Sequence, residues 1–364
     1  MNTLAAWHRA FRGAGRPPRD GGAGSALRPA LAAAALLGVL LAGAVQFGAV
    51  PVSAADWLAP WRPGTDPASA GGAHVLWQLR LPRALLALAV GACLALAGAL
   101  AQGLFRNPLA DPGLLGITSG AACAAALVLT VFSGATHPLP AAWRPWVLPA
   151  SALAGGLTVC LALDRLARWL TPGSVAGLLL TGLALNAGAM AVVGLCTYLA
   201  TDEQLRSLSF WTLGSLAGGE WAVVGVLAAV LALTLPLARR LADGLNALAL
   251  GEAVAGHVGL DVARLRTRVV VAVALLCGLA VAWCGVIGFI GLMAPHLARL
   301  VAGADHRRVL PLSAAFGAAL LLVADTVART VALPAEIPVG IFTALLGAPL
   351  FLALLRQASR GGAA

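Results

Sequence analysis

Residues 81–113 read LPRALLALAVGACLALAGALAQGLFRNPLADPG. From 84 to 103 no side chain in this stretch carries a charge, and about 20 apolar residues are what an α-helix needs to cross a bilayer core of about 30 Å. Glycine and alanine recur along the run, which lets helices approach closely in lipid. The run then ends at Arg106, and Pro108 and Pro112 force a turn, because proline cannot continue a helix. An apolar run, a basic boundary and a broken backbone together predict a membrane-spanning helix.

The same pattern recurs outward along the chain. Spans are expected near 29–49, 84–103, 114–132, 146–163, 175–199, 221–238, 269–285, 286–302, 309–327 and 338–355. The seventh and eighth nearly touch at WCGVIGFIG, residues 283–291. Of the 364 residues 60% are hydrophobic and 43 are glycine, and the mean hydropathy is +0.91. No soluble globular class has this composition, so the expected fold is an all-α polytopic membrane protein with about ten transmembrane helices.

Lysine is absent and all 24 basic residues are arginines. With the N-terminus inside, 18 of them fall in cytoplasmic segments and 6 outside, so the positive-inside rule places both termini in the cytoplasm of a bacterial inner membrane. The net charge of +10 is then spread over membrane-flanking loops facing lipid headgroups, which argues against nucleic acid as a partner. Residues 1–28 form a basic cytoplasmic segment, 29–356 the membrane domain and 357–364 a cytoplasmic tail. The first apolar run with AVPVSAA (49–55) has the look of a secretory signal. An uncleaved first helix is the better reading, because the run is long enough to span and its removal would leave an odd number of helices.

Ionisable groups inside a membrane mark ion pathways. Asp164, Glu220, Asp325 and Glu336 fall at span ends, and His296 in MAPHLARL reads as a packed residue. Machinery for proton or sodium coupling is therefore not visible. A phosphate-binding loop needs a lysine that this chain lacks. No cofactor is expected on this chain, and ATP with its Mg belongs to a separate subunit. The six cysteines lie within or beside spans without paired metal spacing, so no metal site is expected.

One polar island remains, GEAVAGHVGLDVARLRTR at 251–268, between the sixth and seventh spans. It reads as two short cytoplasmic helices over 246–268, apolar at Leu248, Val254 and Val258, with Gly259 ending the first and Asp261 capping the second. Periodicity leaves an interfacial loop and a docking surface equally open.

Residues 245–266, LNALALGEAVAGHVGLDVARL and the arginine after it, resemble the coupling segment of the iron-chelate and vitamin B12 importer permeases, the FecCD-type membrane subunits of type II ABC importers. Similar blocks run from 78 to 122, through LLLTGLALNA at 178–187, GVIGFIGLMAPHLARL at 285–300 and 304–330, to AEIPVGIFTALLGAPLFLALLR at 335–356. The resemblance implies the permease fold of that class, a homodimer, two ATP-binding subunits and a periplasmic substrate-binding protein. It implies ATPase coupling by Gly251, Glu252, Ala253, His257, Gly259, Leu260 and Asp261. Arg80, Arg83 and Arg329 would meet acidic residues of the binding protein, although Arg329 also stands four residues from Asp325 and suits a local pair. Asn107 and Leu109 would form an inner gate, and a short re-entrant helix carrying Leu205, Leu208 and Trp211 an outer one. LRSLSFWTLGSLAG at 205–218 is more similar to the hemin permeases of the family than to the vitamin B12 ones. A ferric-siderophore or cobalamin permease is the alternative within the family, and an ion-coupled secondary transporter the alternative outside it.

Overall fold

The computed structural model describes residues 23–59, 70–136, 139–171, 175–333 and 335–361. The expectations for residues 1–22 and 362–364 lie outside that set. Among the described residues the chain is helical, without strands.

Helix α1 is Ala23–Gln46 and α2 Ala54–Leu58. Ala70–His74 (α3) continues through a π-helical turn, Val75–Arg80, directly into α4, Leu81–Phe105. A 3-10 turn at Pro112–Leu115 leads into α5, Ile117–Leu129, and another at Ser133–Thr136 precedes α6, Arg144–Leu170. There follow α7 (Val175–Leu199), α8 (Asp202–Leu213), α9 (Trp221–Ala249), α10 (Glu252–His257), α11 (Val262–Cys284), α12 (Ile290–Ala302), α13 (His306–Ala328) and α14 (Val339–Gly361).

Each of the ten predicted apolar segments contains a helix, but only six described helices are long and apolar enough to cross a membrane. Helices α5 and α12 have 13 residues each, about 20 Å at 1.5 Å per residue, short of a full bilayer core. The irregular backbone beside them is sheltered by protein, as it must be where water is scarce. The break between α11 and α12 comprises residues 285–289, where Gly285 takes φ 68° and Phe289 φ 67°. Ser215 N donates to Cys284 O at 2.8 Å across this break, and a side chain at Gly285 would collide with Trp211 O. The loop after α8 is thus seated on the broken strand of chain.

Helix α4 occupies the centre, packed by α9, α11, α12 and α13, and is buried almost from end to end. A helix that is apolar all round must be enclosed, and here its small residues set how closely. Gly91 meets Gly317 of α13, and Gly98 meets Gly291 of α12; a Cβ at either α4 position would fall under 3.0 Å from backbone atoms of its neighbour. Helices α6, α7 and α9 lie outside and leave most of their apolar surface open, suited to lipid or to a second copy.

Candidate functional site

Two clusters of polar residues sit at opposite ends of the bundle, one beside α10 and one beside the start of α4.

At the first end, α9 runs for 29 residues, about 44 Å, well beyond the thickness of a membrane core. The expected pair of short helices is corrected here. Residues 246–249 are the last turn of α9, and 262–268 are the first turns of the long helix α11. Only Glu252–His257 stands as a separate short helix, because Gly251 (φ 116°) and Gly259 (φ 83°) break the chain on either side in conformations that favour glycine. Leu260 N donates to Ala255 O at 3.0 Å and closes the end of α10 in a Schellman-type turn. Asp261 Oδ1 accepts from Arg264 N at 2.9 Å and caps α11.

Leu248, read as one apolar face with Val254 and Val258, is buried, whereas Leu250, Val254 and Val258 stand out at 68%, 46% and 68% exposure. Val254 and Val258 lie one turn apart on α10, and Leu250 stands open just before the break at Gly251. Ala253 and His257 lie beside the two valines, with His257 Nδ1 2.6 Å from Ala253 O, and Leu260 turns inward against the core. Glu252 Oε1 accepts from Arg266 Nη2 at 3.3 Å, which ties α10 back to α11 while leaving the carboxylate accessible.

Beside this end lies the turn after α4. Arg106 takes φ 51° at the helix C-cap, Asn107 is exposed with its Oδ1 accepting from Leu109 N at 2.9 Å, and Leu109 is half-buried. Asp111 Oδ1 accepts from Gly113 N at 2.7 Å and starts the next turn. Burial pushes its carboxyl above the usual range, partly offset by that hydrogen bond. Asp111 borders a cavity of about 190 Å³ together with Thr118, Cys277 and Val286. It thus joins the predicted gate turn to the α11–α12 break, a role that its place in the sequence did not reveal.

At the opposite end Arg80 and Arg83, expected at the start of a span, lie within a helical path that begins ten residues before Arg80, at Ala70, whereas Arg329 is the C-cap of α13. Their guanidinium groups are engaged within the chain. Arg80 donates to Val45 O (3.2 Å) and Val50 O (2.6 Å), and Arg329 to Phe47 O (2.8 Å) and Ala44 O, so both hold the carbonyl-rich end of α1. Arg83 grips Asp325 through Nε (3.1 Å) and Nη2 (2.9 Å), and its Nη1 donates to Glu336 at 2.7 Å. The local pair between Asp325 and Arg329 is present as well, at 3.8 Å. Asp325 was expected merely at a span end. It is the buried centre of this network, and only Glu336 reaches solvent.

A helix is present where a short re-entrant one was expected, as α8, with Thr201 capping it by accepting from Gln204 N. Leu208 is buried among Ala122, Ala126, Val193 and Cys196, Trp211 is half-buried, and Leu205 faces an open groove with Arg206, Ser209 and Phe210.

The model of the FecCD transport family matches residues 34–357. The chain belongs to the FecCD transport family. This FecCD-family chain is 45% identical over 324 residues to the hemin transport system permease protein of Yersinia pestis, covering 88% of this chain and 93% of that one. It is 42% identical over 305 residues to the vitamin B12 import system permease protein of Salmonella arizonae, covering 84% and 88%. Among solved structures it is similar to an inward-facing transporter assigned to the metal-chelate type of ABC transporter, with TM-score 0.77 and 35% identity over 90% of this chain and 98% of that one. PsaBC from Streptococcus pneumoniae, with TM-score 0.55 and 16% identity, shares the fold. As a FecCD-family permease the chain is a multi-pass membrane transport subunit.

Proposed function

We propose that this chain is the membrane-spanning half of an ABC importer that carries an iron chelate, with hemin as its cargo, across the bacterial inner membrane. Two copies form the pathway, two ATP-binding subunits dock at the α10 end in the cytoplasm, and a periplasmic binding protein docks at the α8 end. Both termini then lie in the cytoplasm. ATP and Mg are held, and ATP hydrolysed, by the partner subunits. One observation carries the reading: α10 is a short helix at the end of the 29-residue α9, bracketed by two glycines of positive φ, with Leu250, Val254 and Val258 exposed on and beside it. Apolar side chains held out in water need a partner, and a short helix fits a groove on one. Arg83 is the docking arginine whose outer partner, Glu336, is exposed enough to be displaced by a carboxylate of the binding protein. The 45% identity to a hemin permease favours hemin over a ferric siderophore or cobalamin.

Reconstitution with the cognate ATP-binding subunits and binding protein tests the whole assembly. Hemin is expected to enter proteoliposomes only with ATP, and faster than a ferric siderophore or cobalamin. Uptake on an ion gradient alone would transfer the protein to the secondary transporters.

Glu252→Arg places a cation beside Arg266 on the docking face. Insertion into the membrane is expected to be unchanged, while uptake falls about tenfold or more, the order of a lost charge-assisted contact with a like charge in its place. Wild-type uptake by this variant removes Glu252 from the coupling surface.

A further inference from the structure

The last turns of α9 carry more than the approach to α10. Asn246, one turn before Gly251, uses its whole amide on the start of α13: Nδ2 donates to Asp305 Oδ1 at 2.7 Å, and Oδ1 accepts from His306 N at 3.0 Å and lies 2.8 Å from His306 Nδ1. Asp305 Oδ1 also accepts from Arg307 N at 3.0 Å, capping α13, and Arg307 Nε donates back to Asp243 Oδ1 of α9 at 2.5 Å. The end of α9 and the start of α13 are therefore joined by side chains from both, not by an apolar contact that can slide.

His306 carries the connection inward. Its ring is buried against the last turn of α4, where a Cβ at Gly103 would lie 2.8 Å from Nε2, so glycine there admits the ring. The neighbouring Gln102 is buried, donates to Gly291 O at 3.2 Å and accepts from Arg299 Nη1 at 2.5 Å, which brings in α12. Three residues beyond Gly103 the chain leaves α4 at Arg106 and enters the turn with Asn107, Leu109 and Asp111. Hydrogen bonds between half-buried groups resist separation because each breaks at the cost of desolvated, unpaired atoms. A displacement of α10 and the end of α9 would thus drag the start of α13, and its imidazole would press on α4 just before the gate turn.

We propose that Asn246, Asp305 and His306 are positioning residues that carry the movement of α10 to the 106–111 turn. This rests on α10 being the contact for the ATP-binding subunits, and it adds the route by which that contact reaches the gate.

The decisive measurement is hemin taken up per ATP hydrolysed by the reconstituted importer. Asn246→Ala is expected to lower that ratio about tenfold with ATP hydrolysis within about twofold of wild type, because the hub of hydrogen bonds that joins α9 to α13 is lost. A purely structural role would lower protein yield and both rates together. Asn246→Asp alone sets a carboxylate against Asp305 and is expected to uncouple too. Combined with Asp305→Asn it restores the set with donor and acceptor exchanged, since asparagine still caps α13, and recovers the ratio. An unchanged ratio in Asn246→Ala, or no recovery in the double variant, overturns the proposal. Failure of the wild type to take up hemin with ATP strikes the proposed function instead. The cluster is then judged without cargo, by maleimide labelling of Leu109→Cys in the complex with the ATP-binding subunits. A nucleotide-dependent change in labelling that Asn246→Ala abolishes supports the route, and a change that persists overturns it.

Discussion

Asp325→Ala is expected to destabilise the detergent-solubilised protein by about 3–5 kcal/mol, the cost of breaking a buried ion pair from one side. The Asp325 side chain is 2% exposed and answers two cations, Arg83 through a fork at 2.9 and 3.1 Å and Arg329 at 3.8 Å. Removing it leaves both guanidinium groups largely buried, with Arg83 retaining only Glu336 and Arg329 only the carbonyls at the end of α1. Glu336→Ala removes a carboxylate that is 48% exposed on the same arginine and should cost about 1 kcal/mol or less, because solvent screens that pair. Thermal unfolding of the two variants side by side checks the contrast. Equal losses would mean that the network has no buried centre. The combination of Asp325→Leu with Arg83→Met should recover part of the loss, since an apolar pair of similar volume escapes the unpaired-charge penalty.

Gly98→Val is the second large effect, and it acts through packing. A Cβ at Gly98 falls under 3.0 Å from the O, C and Cα atoms of Gly291, all backbone, so no flexible side chain can move aside. Either α4 and α12 separate or the 285–291 segment shifts. Overpacking costs about 1–3 kcal/mol in ordinary cores and more where backbone meets backbone, so folded protein recovered from membranes should fall severalfold. Gly225→Ala in α9 is the matched control, with nothing within 4 Å of the added carbon, and should be neutral or slightly favourable through helix propensity. Comparable yields of the two variants would mean that α4 and α12 are less closely seated than the crossing at Gly98 requires.

Much of the architecture was legible without coordinates. Long uncharged runs announced ten apolar helices. Gly259 and Asp261 marked the end of α10 and the start of α11 because such turns and helix caps are local matters of φ, ψ and one side-chain oxygen, whereas the break at Gly251 was read as the interior of one helix. The helix α8 was likewise expected, from Leu205, Leu208 and Trp211 and the family resemblance, although its capping box of Thr201 and Gln204 went unread.

The errors share a cause. In water an amphipathic period tells which face of a helix is packed, but a membrane helix is apolar on every side, so periodicity cannot distinguish the enclosed α4 from the outer α7. The same blindness cut α9 and α11 short and gave their ends to a pair of short helices, of which only α10 stands apart, since Leu248 looks no different from Val258 until α9 is seen to continue and bury it. The roles of the arginines were equally hidden. The sequence alone determined that Arg80, Arg83 and Arg329 flank long apolar runs, because the distribution of charge against apolar length is written residue by residue. That Arg80 and Arg329 hold the end of α1, that Arg83 closes on Asp325 across 242 positions, and that Asn246 meets His306 across 60 was decided only by the tertiary structure. Hydrogen bonds of this reach depend on which helices become neighbours, and that is settled by glycine-to-glycine contacts summed over the whole bundle rather than by any local stretch of chain.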